Sequence, residues 1–165
     1  MTNDLPSPVS VALNTQLEYL KLGHLREHYE SLAQQAAREQ WTHVGYLARL
    51  IEGEAAQREQ RAIERRIRLA RFPTVKTLDQ FQWTWPRKIN RMGVQHLFRL
   101  DFLQQHANVI FLGGVGLGKT HLSIALGRAA CLRGHSVLFT TVVEAINTLC
   151  AAQAAGRLKA GGGPA

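Results

Sequence analysis

The chain has 165 residues, the length of about one domain, and 45% of them are hydrophobic, which is enough for a packed core. No stretch approaches the roughly 18 apolar residues of a membrane-spanning helix, and the N-terminal sequence MTNDLPSPVS lacks the basic and apolar regions of a secretory signal. The net charge of +8 favours nucleic acid as a partner over a membrane surface, because no basic stretch carries a strong aromatic and apolar face.

The two cysteines, Cys131 and Cys150, have neither metal-ligand spacing nor the number needed for a disulfide framework. Both lie in apolar helical surroundings, a pattern that predicts buried free thiols. We therefore expect a reduced protein of the cytoplasm.

The N-terminal part of the chain is predicted to be helical. Residues 1–10 are polar and contain two prolines, which predicts a disordered tail. From Val11 to Leu32, apolar residues recur every three or four positions, as in one amphipathic helix or two short ones. We assign residues 11–75 to this helical region.

One pattern within this region is typical of metalloproteases. His24, Glu27 and His28 form H-x-x-E-H, and the two histidines would share one face of a helix. No third ligand can be named from the sequence, and the flanks are ordinary helix. A solvated helix face is therefore the favoured interpretation, with a zinc site as the alternative.

A second helix is predicted over residues 42–71, and its second half is rich in arginine. Acidic residues four positions earlier pair with two of these arginines, Glu54 with Arg58 and Glu64 with Arg68, so the face could simply be solvated. We favour DNA phosphates as the partners of the basic face. The predicted DNA-binding residues are Arg58, Arg61, Arg65, Arg66, Arg68 and Arg71.

Pro73 is expected to end that helix, and residues 76–107 are interpreted as a connector. Phe81, Trp83 and Trp85 alternate there, as in a short half-buried extended segment. We expect these rings to pack on the following domain; the alternative is that they cover a nucleotide base.

Residues 108–159 contain the pattern on which the functional prediction depends. After an apolar run, Gly113–Thr120 reads GGVGLGKT and fits G-x-x-x-x-G-K-[ST], the Walker A loop of P-loop NTPases. In this motif the backbone N–H groups surround phosphates, Lys119 reaches the β- and γ-phosphates of ATP, and Thr120 binds Mg²⁺. The predicted nucleotide-binding residues are Gly113, Gly114, Val115, Gly116, Leu117, Gly118, Lys119, Thr120 and His121.

The elements around the loop predict an α/β fold. Strands are expected at 109–112 and 136–140, and helices at 119–133 and from Thr141, where Thr141 and Glu144 form a capping box. This order predicts a parallel sheet with right-handed crossovers. The fold expected for the chain is thus a helical N-terminal region followed by a partial P-loop unit with a parallel α/β sheet.

The acidic strand that hydrolysis requires is missing from the sequence. Such a strand ends in an aspartate that helps to hold Mg²⁺, whereas the chain has one acidic residue after Asp101, which is Glu144. Residues 160–165, AGGGPA, predict a disordered tail. We therefore expect ATP binding without hydrolysis, and a product truncated at its C-terminus.

The chain resembles the IstB-like helper ATPases of insertion sequences, which are AAA+ proteins related to the DnaC helicase loaders. The resemblance extends over residues 11–159. The segments that carry it are 58–72, 102–106, 113–127 and 155–158, and the most specific is GGVGLGKTHLSIALG. It implies an ATP-binding protein that assembles as an oligomer on DNA and works with the transposase of the same element. The alternatives are a fragment that binds DNA or transposase without hydrolysing ATP, a DnaC-like helicase loader, and a remnant that does not fold stably.

Overall fold

The computed structural model describes residues 8–84 and 89–156, and within these ranges every regular element is a helix. Contacts divide the chain into two compact units, Met1–Ala62 and Ile63–Ala165. The helices are α1 (Pro8–Tyr19), α2 (Gly23–Arg38), α3 (His43–Leu69), α4 (Arg91–Leu97), α5 (Asp101–Gln104), α6 (Lys119–Leu132) and α7 (Val142–Ala154). None of them is long and apolar enough to cross a membrane.

Some sequence predictions fall outside the described residues. These are residues 1–7 and 160–165 of the predicted tails, Trp85 of the connector, and residues 157–159 at the end of the predicted nucleotide-binding segment. Residues 8–10, which were predicted to be disordered, form the first turn of α1.

The first unit is built from α1, α2 and most of α3. The helical prediction for residues 11–32 is confirmed as two helices, separated where Lys21 adopts a φ of 56°. Leu17, Leu25 and Leu50, one from each helix, form the buried core of this unit. The helical spacing of apolar residues in the sequence therefore corresponds to a core that contains one buried leucine from each helix.

A buried carboxylate joins α2 to α3 in this unit. Glu54 is 4% exposed, and its Oε2 accepts hydrogen bonds from the backbone N–H groups of His24 at 2.9 Å and Leu25 at 3.3 Å. Arg58 Nε donates to the other carboxylate oxygen at 3.3 Å. The negative charge of Glu54 thus satisfies donors at the N-terminus of α2, where helices lack internal acceptors.

The H-x-x-E-H pattern lies on this same surface. The rings of His24 and His28 stack with centroids 4.2 Å apart, as expected for one helix face. The His24 ring also lies so close to Gly53 that no side chain would fit there. Across residues 8–84 and 89–156, no group of three or more histidine, cysteine or acidic side chains is arranged to hold a metal ion.

The second unit is organised around α6. Ile124 is 1% exposed and Cys131 0%, and two apolar clusters flank the helix. One cluster contains Phe81, Val94 and Leu122, and the other contains Leu100, Leu126 and Ala130. The predicted helix 119–133 is confirmed as α6, and Gly134 follows it with a φ of 92°.

The predicted parallel α/β unit is wrong. Segments 109–112 and 136–140 run without helix or strand pairing, and no sheet is found in the part of the chain that the structure describes. A strand needs a neighbouring strand to accept and donate its backbone hydrogen bonds. Here Ile110 is 76% exposed and Leu112 is 90% exposed, while Phe139 N–H donates to the carbonyl of Ala70 at 2.8 Å, in the turn after α3. The apolar runs therefore lack the partner that would make them strands.

The prediction of two buried thiols is half right. Cys131 is buried on α6, and burial raises the pKa of its thiol. Cys150 is exposed. It lies on α7, which contains no buried residue although its sequence is apolar.

Candidate functional site

The glycine-rich loop keeps the conformation that its sequence indicates. Gly116 and Gly118 have φ values of 80° and 82°, in the left-handed region where side chains are disfavoured. Residues 113–116 are exposed, and Val115 is completely so, whereas Leu117, Gly118 and Lys119 are half-buried. The loop thus presents its backbone to solvent and then leads directly into α6.

Lys119 folds back over this loop. Its Nζ donates hydrogen bonds to the carbonyls of Gly113, at 2.8 Å, and Gly114. An ammonium group has three donors, so these two bonds fix its position and leave one N–H for an anion. The two hydrogen bonds therefore hold the lysine over the loop.

The N-terminus of α6 has no side-chain cap. Its N-cap residue is Gly118, whose carbonyl accepts from Leu122 N–H at 2.9 Å, and no side-chain hydrogen bond caps this helix end. Thr120 is exposed in that turn. The first N–H groups of a helix carry partial positive charge and lack internal acceptors, so this end suits an anion.

The connector packs directly on the loop and on α6. The ring of Phe81, which is 6% exposed, lies against Gly118, and a Cβ on that glycine would come within 2.5 Å of it. The ring of Phe81 also meets the edge of His121, with centroids 5.4 Å apart, and His121 Nε2 lies 2.8 Å from the carbonyl of Thr77. Phe81 and Trp83 are in ring contact. The expected packing of the connector on the following domain is confirmed for these two rings.

A cavity of about 410 Å³ lies between the connector and the loop. Its lining is Val75, Lys76, Gln80, Phe81, Gln82, Gly116, Leu117, Gly118 and His121. Leu117 lines a second cavity as well, which is more apolar and has a volume of about 320 Å³. Lys119 lines this second cavity and not the first. Of the polar side chains of the first cavity, His121 was named from the sequence. Lys76, Gln80 and Gln82 were not, because they come from the connector and meet the loop only in the folded unit.

Glu144 is committed to the start of α7. Thr141 N–H donates to its carboxylate at 2.9 Å, and Glu144 N–H donates to the Thr141 hydroxyl at 3.2 Å, which confirms the predicted capping box. The bonds from Thr141 hold the pKa of Glu144 below its usual range. This carboxylate is therefore an acceptor for its own helix.

The arginines predicted to bind DNA occupy different surroundings. Arg58 pairs with buried Glu54, and Arg61 lies beside Gly23, so both contact other side chains or backbone of the first unit. In the second unit Arg68 and Arg71 line one cavity of about 370 Å³. Arg128 of α6 lines it as well; sequence reasoning missed this residue, because its neighbours in the cavity are distant in the chain. Arg65 is exposed and Arg66 half-buried.

The comparison with protein families is decisive. The model of the family described as "IstB-like ATP binding protein" matches residues 15–161. The chain belongs to this family. The resemblance noted from the sequence is thereby confirmed, and the glycine-rich loop described above lies within the matched residues.

The IstB-like relatives are proteins named for insertion sequences. A protein named for ATP binding in insertion sequence IS21 of Pseudomonas aeruginosa is 43% identical over 89% of this chain and 56% of its own length. Proteins named in the same way for IS5376 of Geobacillus stearothermophilus and IS232 of Bacillus thuringiensis subsp. berliner are each 32% identical, over 85% and 89% of this chain. The chain spans 56% and 59% of these two relatives, and thus somewhat over half the length of each of the three.

Proposed function

We propose that this chain binds ATP through the loop Gly113–Thr120. The observation that carries the proposal is the position of Lys119, whose ammonium is held on two loop carbonyls at the uncapped N-terminus of α6. A cation and a set of free backbone donors then face the same place, which is the arrangement that a polyphosphate needs. The names of the IstB-like relatives, which refer to ATP binding, agree with this proposal.

The nucleoside would lie in the cavity of about 410 Å³ beside the loop. This volume is within the usual range for small-molecule sites. Phe81 and His121 offer ring surface there, and Gln80 and Gln82 offer amide groups that can hydrogen-bond a base. The connector would thus contact the base and ribose while the loop holds the phosphates.

Mg²⁺ would be bound by the hydroxyl of Thr120 together with oxygens of ATP and water. Glu144 accepts bonds at the start of α7, so the proposal assigns it no role in hydrolysis and concerns the binding of ATP–Mg²⁺ alone.

Calorimetric titration of the purified chain with ATP, with Mg²⁺ and then with excess EDTA, tests this site. We expect tighter binding with Mg²⁺, and the Mg²⁺-dependent gain should be lost in Thr120→Val. Thr148→Val is the matched control, because Thr148 is an exposed threonine on α7 whose hydroxyl bonds to the carbonyl of Glu144. Absence of ATP binding to the wild-type chain would overturn the proposal, and equal affinity with EDTA would remove Mg²⁺ from it.

We also propose that the protein is a helper of DNA transposition, which binds DNA through its arginine-rich region and acts in the cytoplasm with the transposase of the same element. The net charge of +8 supports an electrostatic contact with DNA, and the relatives' names link the family to insertion sequences. Sedimentation of the chain with duplex DNA, with and without ATP, would show whether it binds DNA and whether it forms oligomers there. Co-purification with the element's transposase would test the second partner; no retention of either would count against the helper role.

A further inference from the structure

A cavity of the second unit is lined by three arginines. Its volume is about 370 Å³. Arg68 reaches it from the last turn of α3, Arg71 from the turn that follows α3, and Arg128 from α6. The rest of the lining is apolar apart from one threonine: Ile67, Phe72, Pro73, Thr74, Val75 and Ile124. No acidic residue is among the residues that line it, so the lining itself carries three arginines and no carboxylate.

The backbone that carries these arginines is fixed by packing. Ala70 is 0% exposed, and its carbonyl accepts a hydrogen bond from Phe139 N–H at 2.8 Å. The next residue, Arg71, has a φ of 56°, which turns the chain sharply after α3. The ring of Phe72 then packs on Gly127, where an added Cβ would lie 3.0 Å from the ring. This contact sets the end of α3 beside Arg128.

One acidic group that interacts electrostatically with the cleft is Glu144. Hydrogen bonds from Thr141 are the main cause of its lowered pKa, and the charge of Arg71 lowers it further. The carboxylate of Glu144 is bound to Thr141 N–H and lies in the lining of a different cavity, which Arg71 also lines.

We propose that this cleft binds a phosphodiester group of the DNA backbone. Guanidinium groups offer paired N–H donors that match phosphate oxygens, and they remain charged at any working pH. The rings of Phe72 and Pro73 give an apolar wall against which the adjoining deoxyribose can pack. The inference rests on the proposed DNA binding and deepens it, because it selects Arg68 and Arg71 from the basic region and adds Arg128.

The position of Arg128 places this contact on the helix that follows the ATP loop. Arg128 lies nine residues after Lys119 in α6, which corresponds to about 13 Å along a helix. The ATP and DNA contacts would then be made by the two ends of one helix whose apolar face is buried.

The test is the salt dependence of binding to a fluorescent DNA duplex, measured by anisotropy with the full chain. Each phosphate contact contributes about 0.9 to the slope of log affinity against log salt. Because both arginines face one phosphate in this proposal, we expect Arg68→Gln and Arg128→Gln each to lower this slope, by up to that amount. Arg99→Gln is the matched control, because it removes an exposed arginine of the same unit that does not line the cleft. Its slope should equal that of the wild-type chain.

Two further variants make the outcome decisive. Arg128→Lys keeps the positive charge but loses the paired N–H donors of the guanidinium. We therefore expect this variant to show the wild-type salt slope with a reduced affinity for DNA. Arg68 is exposed, so Arg68→Gln still tests the cleft if circular dichroism shows that Arg128→Gln is unfolded. Unchanged slopes in the folded cleft variants would overturn the inference. If Arg61→Gln, which lies outside the cleft, still weakened DNA binding in that case, the proposed DNA function would stand. No salt-dependent binding by the wild-type chain would reject both.

Discussion

Two helices of this protein begin in chemically opposite ways. At the start of α2, the carboxylate of Glu54 accepts hydrogen bonds from the N–H groups of His24 and Leu25, and Glu54 is 4% exposed. At the start of α6, Gly118 is the N-cap and no side-chain hydrogen bond caps the helix. Both helix ends carry the same partial positive charge, yet one has an anion supplied by the protein and the other has a lysine held beside it.

The difference shows how the same backbone property serves structure in one unit and binding in the other. A carboxylate that is part of the chain stabilises the fold permanently, because it satisfies donors that water no longer reaches. A helix end that is left without such a group, next to the ammonium of Lys119, gains stability only from a ligand with negative charge. Four changes of sequence or pH would test this comparison.

The largest effect is expected from Lys119→Ala. The substitution removes the ammonium that donates to the carbonyls of Gly113 and Gly114, and a charge-assisted hydrogen bond contributes about 1.5–3 kcal/mol. ATP affinity should therefore fall about tenfold to hundredfold, as measured by calorimetry. Lys21→Ala removes an equal charge in the first unit and should leave the affinity unchanged; a Lys119→Ala chain with wild-type affinity would show that ATP binds elsewhere.

The next effect separates two glycines of the loop. Gly116 and Gly118 have nearly equal φ values, but an added Cβ meets nothing at Gly116 and meets the Phe81 ring at Gly118. Gly116→Ala should cost about 1–2 kcal/mol from the backbone alone. Gly118→Ala should cost more, in free energy of unfolding and in ATP affinity, because the ring must also move.

The double variant Gly118→Ala/Phe81→Ala gives the control for this steric contact. If the ring is the obstacle, the two substitutions will be non-additive, with a smaller combined loss than the sum of the single losses. Additive losses, measured by chemical denaturation, would show that the connector does not constrain the loop.

A moderate effect is expected from Glu54→Gln, which tests the other side of the comparison. The amide retains the size of the side chain but loses the charge that faces the N-terminus of α2 and the Arg58 guanidinium. We expect the free energy of unfolding to fall by about 1–2 kcal/mol, with ATP affinity unaffected. Glu52→Gln, at an exposed position of α3, serves as the control; equal stability of the two variants would contradict the assigned role of Glu54.

The smallest effect concerns the pH dependence of α7. Hydrogen bonds from Thr141 lower the pKa of Glu144 from its usual 4.5. A group with a depressed pKa in the folded state stabilises the protein above the unfolded-state pKa, and this stability is lost as the pH falls through the folded-state pKa. Helicity of the wild-type chain, followed by circular dichroism, should therefore decrease below pH 4.5 more than that of Glu144→Gln. Parallel curves would exclude this contribution.

The features that the sequence predicted correctly are the local ones. The helices α3 and α6 and the capping box at Thr141 each depend on residues within a few positions of one another. A helix satisfies its own backbone hydrogen bonds, so its pattern suffices to predict it. The assignment of Gly113–Thr120 as a nucleotide-binding loop stays a prediction.

The predictions that failed depend on distant partners. Residues 109–112 have an apolar run typical of a strand, yet pairing requires a neighbour that the run does not specify. Cys150 was predicted to be buried from the apolar sequence around it, but it is exposed and α7 has no buried residue. The cleft was also not predictable in full, since Arg128 reaches it only through the contact between Phe72 and Gly127.

The two cysteines give the chain a pair of chemically distinct labels. The thiol of Cys150 is exposed and should react rapidly with a maleimide dye, whereas Cys131 is buried and its thiol has a raised pKa. A dye can therefore be attached to α7 without engineering the sequence. The slower rate at which the dye modifies Cys131 would measure how often α6 opens transiently. A further decrease of this rate when ATP is added would report ligand binding at the other end of the same helix.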